Sequence, residues 1–126
     1  MGQETDDVLR VEVLGAQHDR SGFESGVGPL DRYFQTQAGQ DARKKMAAAF
    51  VLVLKDGSIV GYYTLSSTAV RLPELPPAIV RKLPRYPLIP ATLLGRLAVD
   101  RRYQGKGYGR FLLVDALYRA VRSEIA

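Results

Sequence analysis

Apolar and polar residues alternate from Val8 to Leu14, with Leu9, Val11 and Val13 on one face, and this two-residue period predicts a strand. A polar, glycine-containing loop follows over 17–28. The period then changes. Leu30, Tyr33, Phe34 and Ala38 share one face of a helix that starts at Pro29, a residue suited to a first turn, and the helix is expected to decay over 41–45. Residues 47–55 and 58–70 are two apolar, β-rich runs joined by Lys55-Asp56-Gly57-Ser58, and Asp-Gly between such runs predicts a tight hairpin. Six of the seven prolines fall in 71–90, so that stretch reads as an irregular crossing with one short helix over 78–82. Ala91–Val99 reads as a strand. Phe111, Leu112, Ala116, Leu117, Ala120 and Val121 lie at helical spacing within 108–123. The order is β-α-β-β-loop-β-turn-α, without internal repeats, and is expected to form one α/β (α+β) domain over 1–126.

The turn between the last strand and the last helix stands out. Gln104-Gly105-Lys106-Gly107-Tyr108-Gly109 alternates three glycines over five positions. Glycine lets the backbone bend sharply and lets a ligand approach its N–H groups. A helix start adds unpaired N–H donors and the positive end of the helix dipole, a suitable place for phosphate. A Walker loop is excluded because Lys106 is followed by Gly107 rather than Ser or Thr. A dinucleotide fingerprint fits poorly too: the spacing is Gly-x-Gly-x-Gly, and the preceding strands form a hairpin rather than a βαβ unit.

Charge adds to this picture. The net charge is +5, and residues 71–110 hold nine Lys/Arg against two acids, a local +7, while the remainder nets −2. Such a concentration favours a polyanionic ligand or partner. Apolar content of 46% and 25% charged residues suit a globular chain. The absence of cysteine excludes disulfide and thiolate chemistry and suits a reducing cytoplasm. No stretch reaches the roughly 20 apolar residues of a membrane span, and the acidic start is unlike a signal peptide. No metal site is expected.

Gln104, Gly107 and Gly109 stand at the defining positions of the Gln/Arg-x-x-Gly-x-Gly/Ala signature of the GNAT acetyltransferases, and the chain resembles that family. Leu97-Ala-Val-Asp-Arg-Arg-Tyr103 is similar to the family's strand and bulge before the loop. Gly61-Tyr-Tyr-Thr-Leu-Ser66, Leu83-Pro-Arg-Tyr-Pro-Leu-Ile-Pro90, Leu94-Gly-Arg-Leu-Ala-Val-Asp100 and Phe23-Glu-Ser-Gly-Val-Gly-Pro-Leu-Asp31 resemble the GNAT toxins of type II toxin–antitoxin pairs, with Ser25 or Glu24 where a cysteine is common. The resemblance covers residues 8–126. It implies a GNAT fold, a mixed and mostly antiparallel sheet with flanking helices, of which 1–126 is expected to be the N-terminal two-thirds, truncated after the motif helix.

It also implies acetyl transfer from acetyl-CoA to the α-amino group of an aminoacyl-tRNA. Leu97, Ala98 and Val99 would line the pantetheine, which binds as an extra strand. Gln104, Gly105, Lys106, Gly107, Tyr108 and Gly109 would hold the pyrophosphate, with Arg102 and Arg110 assisting. Arg96 and Arg85 are candidates for substrate phosphate or ribose; strand alternation puts Arg96 opposite Leu97. The tyrosine that protonates the departing thiolate in these toxins is expected beyond residue 126, so no catalytic residue is assigned and activity of the 126-residue chain is in question. His18 is expected at the surface, Asp100 as a solvated loop residue and Tyr118 as a packing residue. The edge of Ala91–Val99 is expected to be unpaired or covered by a homodimer partner or an antitoxin. A GNAT enzyme acting on a small amine or protein N-terminus, and a non-catalytic protein binding CoA or an antitoxin, remain as alternatives.

Overall fold

The computed structural model describes residues 9–71, 76–81 and 88–122. Four strands, β1 (Leu9–Val13), β2 (Ala48–Leu54), β3 (Ile59–Arg71) and β4 (Leu88–Val99), form one sheet in chain order, every neighbour antiparallel. Helices α1 (Gly28–Thr36) and α2 (Ala38–Arg43) cover one face, and α4 (Tyr108–Val121) covers the other; α3 (Pro77–Val80) is a single turn in the crossing segment.

Covering both faces explains why β2 is apolar without alternation: Ala49 to Val53 are all buried. Val51 and Val53 meet the α1 and α2 side, where Phe34 stacks on Tyr62 at 4.2 Å and Phe23 stands edge-on to both rings. Phe50 and Leu52 meet the α4 side with Val60, Tyr63, Leu65, Leu112 and Ala116. A Cβ at Gly61 would lie 2.7 Å from Ala98 O and 2.8 Å from Leu112 Cδ1, so this glycine sets how closely α4 approaches the sheet.

The predicted hairpin is present. Gly57 takes a φ of +92°, Leu54 donates its N–H to Ser58 O, and Asp56 accepts the Ser58 N–H. Other expectations need correction. The first helix breaks at Gln37 (φ −119°) and resumes as α2, a bend that lets the Tyr33 hydroxyl donate to Asp41 at 2.8 Å. Strand β4 starts at Leu88, three residues before the expected Ala91, and carries Pro90 opposite Ala69. An edge strand tolerates proline because one side of its backbone has no ladder to complete. The short helix falls at 77–80 rather than 78–82. His18 is buried: its Nδ1 accepts the Gly15 N–H and its Nε2 donates to Glu12. Tyr118 is exposed instead of packed, its hydroxyl accepting from Arg122. Among the described residues no helix is long and apolar enough to cross a membrane.

Candidate cofactor-binding site

The site is built where β4 runs out. Asp100 donates its N–H to Val60 O of β3. Antiparallel alternation therefore turns the N–H and C=O groups of Leu97 and Val99 toward the open edge of β4. Upstream, Thr64 faces Arg96 and Leu65 faces Leu94, so Gly95 is the extra residue of a bulge. The expected bulge thus lies within the strand, two residues before Leu97.

Past Val99 the chain is held by one buried carboxylate. Asp100, 2% exposed, accepts from the Arg102 N–H, from Arg102 Nε at 3.0 Å and from the Glu24 N–H. Burial pushes this carboxyl up, but the hydrogen bonds from Arg102 and from the two backbone N–H groups, with the Arg102 charge, outweigh it and hold the group below the usual carboxylate range. The expected solvated loop residue is a buried anchor. Arg101 donates its N–H to Glu24 O, and the Gln104 side-chain amide donates to Ser25 O at 2.7 Å and to Val99 O at 2.8 Å. Gln104 therefore acts on the site through its own chain, tying the loop before α1 to the end of β4. That loop is closed in turn by Asp31, which accepts from both the Ser25 N–H and hydroxyl.

The glycines divide by role. Gly105 and Gly107 have φ of +80° and +88°, a region most side chains avoid, and open space surrounds each. Gly107 caps α4. Gly109 has an ordinary backbone, and a Cβ there would sit 3.8 Å from Val99 Cγ2. From Gly105 to Arg110, no backbone N–H has an acceptor among the described residues; the first helical bond is Phe111 N–H to Gly107 O. Six successive unpaired donors on an exposed, left-handed loop at a helix start fit a pyrophosphate. Lys106 and Arg110 are exposed beside it. Tyr108 packs partly against the α4 core, as do the Leu97 and Val99 side chains, while Ala98 is buried on the other face. A neighbouring cleft of about 400 Å³ is lined by Asp19, Asp56 and Asp100 with Arg102. Its acidic lining is unsuited to phosphate.

Arg96 is not brought to the loop. Its guanidinium lies 3.6 Å from the centre of the Tyr33 ring on the α1 side of the sheet. Arg85 lies outside the described residues. The hydroxyls of Tyr33, Tyr62 and Tyr63 donate to Asp41, Leu30 O and Asp115. Burial pushes all three up, Tyr33 to about 12, so none is poised to give up a proton near neutrality. Sequence reasoning overlooked Gly61, the Gly95 bulge and the Ser25–Asp31 closure. Only the Gly-Pro at 28–29 hinted at a shaped helix entry.

Comparison with known proteins agrees with this geometry. The chain is 38% identical over 105 residues to a "tRNA-acetylating toxin" of Mycobacterium tuberculosis, covering 83% of this chain and 61% of that one. It spans about three-fifths of the length of the curated relatives it matches. Among solved structures it superposes on AtaT complexed with acetyl-methionyl-tRNAfMet with a TM-score of 0.83 at 31% identity, covering 94% of this chain and 72% of that one. It superposes on AtaTR bound with AcCoA with a TM-score of 0.78 at 31% identity, covering 91% and 69%. The profile of the acetyltransferase (GNAT) family matches residues 16–125. With that match over most of its length, the chain belongs to the GNAT acetyltransferases.

Proposed function

We propose that this chain belongs to an acetyl-CoA-dependent N-acetyltransferase whose acceptor is the α-amino group of an aminoacyl-tRNA, working in the cytoplasm and pairing with a second copy and with an antitoxin. The observation that carries the cofactor assignment is the run of unpaired N–H groups from Gly105 to Arg110. Bound there, acetyl-CoA supplies an activated acetyl thioester. The chain's own contribution is placement. The N–H groups of residues 105–110, with Lys106 and Arg110, neutralise the pyrophosphate. The N–H and C=O of Leu97 and the N–H of Val99 face the open β4 edge and suit an extended ligand bound in the manner of an added strand, the Val99 C=O being held by Gln104. Asp100, Gln104 and Arg102 keep that edge and the loop in fixed register. The acceptor assignment rests on the relatives, a tRNA-acetylating toxin and a toxin solved with an acetylated aminoacyl-tRNA.

The test is incubation of the 126-residue chain with acetyl-CoA and aminoacyl-tRNA, followed by detection of N-acetylated aminoacyl-tRNA. Acetyl-CoA consumption with a small amine or a peptide, and none with aminoacyl-tRNA, would replace the acceptor. Acetyl-CoA binding without transfer to any amine would make the chain a binding protein.

A further inference from the structure

Two arginines converge on a notch that the cofactor site does not use. At the end of β1 and on α2, Leu14, Gly15, Ala16, Arg20, Gly39 and Arg43 line a cavity of about 200 Å³. Arg20 is fixed in place: its Nη1 donates to Phe34 O at 2.8 Å. Its other terminal nitrogen turns toward Gly39. A Cβ built at Gly39 would lie 3.1 Å from Arg20 Nη2 and 3.3 Å from Arg43 Nη1, so these nitrogens are no more than about 6.4 Å apart. Among the described residues neither guanidinium has a carboxylate within 4 Å.

Gly39 makes the arrangement harder to dismiss as incidental. Its φ is ordinary, so no backbone constraint demands glycine. What the missing side chain provides is a close approach of two like charges over the same backbone position. The cavity beside them, about 200 Å³, admits a tetrahedral oxyanion that takes N⁺–H···O⁻ contacts of about 2.8 Å from both guanidiniums and relieves the repulsion.

We propose that Arg20 and Arg43 form a phosphate-binding notch separate from the Gln104–Gly109 loop, and that its occupant is a phosphodiester of a polynucleotide. The polynucleotide identity rests on the aminoacyl-tRNA reading above; the phosphate chemistry does not. The placement suits an extended polyanion. Leu14 bonds Ala49, which pairs with Thr64, which pairs with Arg96. The notch therefore lies at the β1 edge of the sheet, three strand spacings or roughly 14 Å from β4, and Arg43 beside it is exposed to a polyanion in solvent.

The test is fluorescence anisotropy of a labelled RNA hairpin at a series of salt concentrations, for the wild type, Arg43→Ala, Arg43→Lys and Gly39→Val. Acetyl-CoA calorimetry on each protein reports the cofactor site independently. Arg43 is exposed, so its replacement leaves the fold intact. Arg43→Ala is expected to weaken hairpin binding about tenfold at low salt and to flatten the slope of log K against log salt by roughly 0.7–0.9, one phosphate contact. Arg43→Lys recovers the slope, Gly39→Val weakens binding without a charge change, and acetyl-CoA affinity stays constant throughout. Unchanged hairpin affinity and slope in both Arg43→Ala and Gly39→Val overturns the notch. If the wild type binds acetyl-CoA but no hairpin, the acceptor reading has failed, and inorganic phosphate decides the notch by itself. Shifts of the Gly15 and Gly39 amide resonances in the wild type and not in Arg43→Ala support a free-phosphate site; no shifts overturn it.

Discussion

The Arg96 guanidinium lies over the Tyr33 ring, 3.6 Å from its centre, and so joins the residue after the β4 bulge to the middle of α1. The same tyrosine donates its hydroxyl to Asp41 of α2. One ring thus collects a strand and two helices. Arg96→Ala is expected to lose roughly 1–2 kcal/mol of stability, the worth of a partly desolvated cation–π contact, read by urea denaturation.

The ring's acidity reports the same arrangement with a definite sign. Burial, and then the Asp41 carboxylate, push the Tyr33 hydroxyl up to about 12, while Arg96 pulls it down. Asp41→Asn should lower the pH at which Tyr33 ionises, and Arg96→Ala should raise it. An NMR titration of the Tyr33 ring that moves the same way in both variants would refute this assignment.

Global stability should follow from these shifts. Tyr33, Tyr62 and Tyr63 bind their protons more tightly folded than unfolded, so the unfolded chain ionises first as pH rises above about 10, and stability falls from there toward about 12. Asp41 and Asp100 have the opposite sense. Tyr33 and Gln37 hold Asp41 low; at Asp100 hydrogen bonds overcome burial. Their contribution is complete above the ordinary carboxylate range and is lost as pH falls through their lowered values. Melting temperature against pH should show both declining limbs.

The loop glycines should separate fold from ligand. Gly107→Val forces a β-branched residue into a left-handed conformation and should cost 2 kcal/mol or more, roughly, with acetyl-CoA binding lost. Gly109→Ala meets only an ordinary contact with Val99 and gains helix propensity, so its melting temperature should hold or rise slightly. Equal destabilisation in the two would contradict the division.

Gln104→Ala removes two hydrogen bonds whose acceptors, Ser25 O and Val99 O, are the protein's own. The expected loss is about 1–3 kcal/mol in denaturant, with weaker acetyl-CoA binding on calorimetry. Faster amide exchange over 23–27 would show that the loop before α1 has been released.

Much of this was readable in one dimension. β1, α1 and α4 announced themselves by period, β2 and β3 as apolar, β-rich runs, and Asp56-Gly57 marked the hairpin between them. Gly105 and Gly107 were legible because a positive φ has a residue signature. Gly61 was not, since its reason is a helix packed from 51 residues downstream, where Leu112 leaves no room for a Cβ. The burial of Asp100 was hidden for the same cause: its partner Glu24 donates across 76 positions of sequence. His18 looked like a surface residue because nothing in its neighbourhood shows that Glu12 and the Gly15 N–H will close around it. Pro90 read as a strand breaker because sequence does not tell an edge strand from a central one.

The bonds that hold the glycine loop in place, Glu24 to Asp100 and Gln104 to Ser25, span 76 and 79 residues. A loop that looks like a portable hexapeptide is therefore the product of long-range closures. Such contacts carry a large entropic cost of loop closure and form late in folding. During synthesis the cofactor grip cannot preorganise until residue 104 has emerged to meet a segment made some eighty residues earlier, so the nascent chain cannot hold its cofactor before that point.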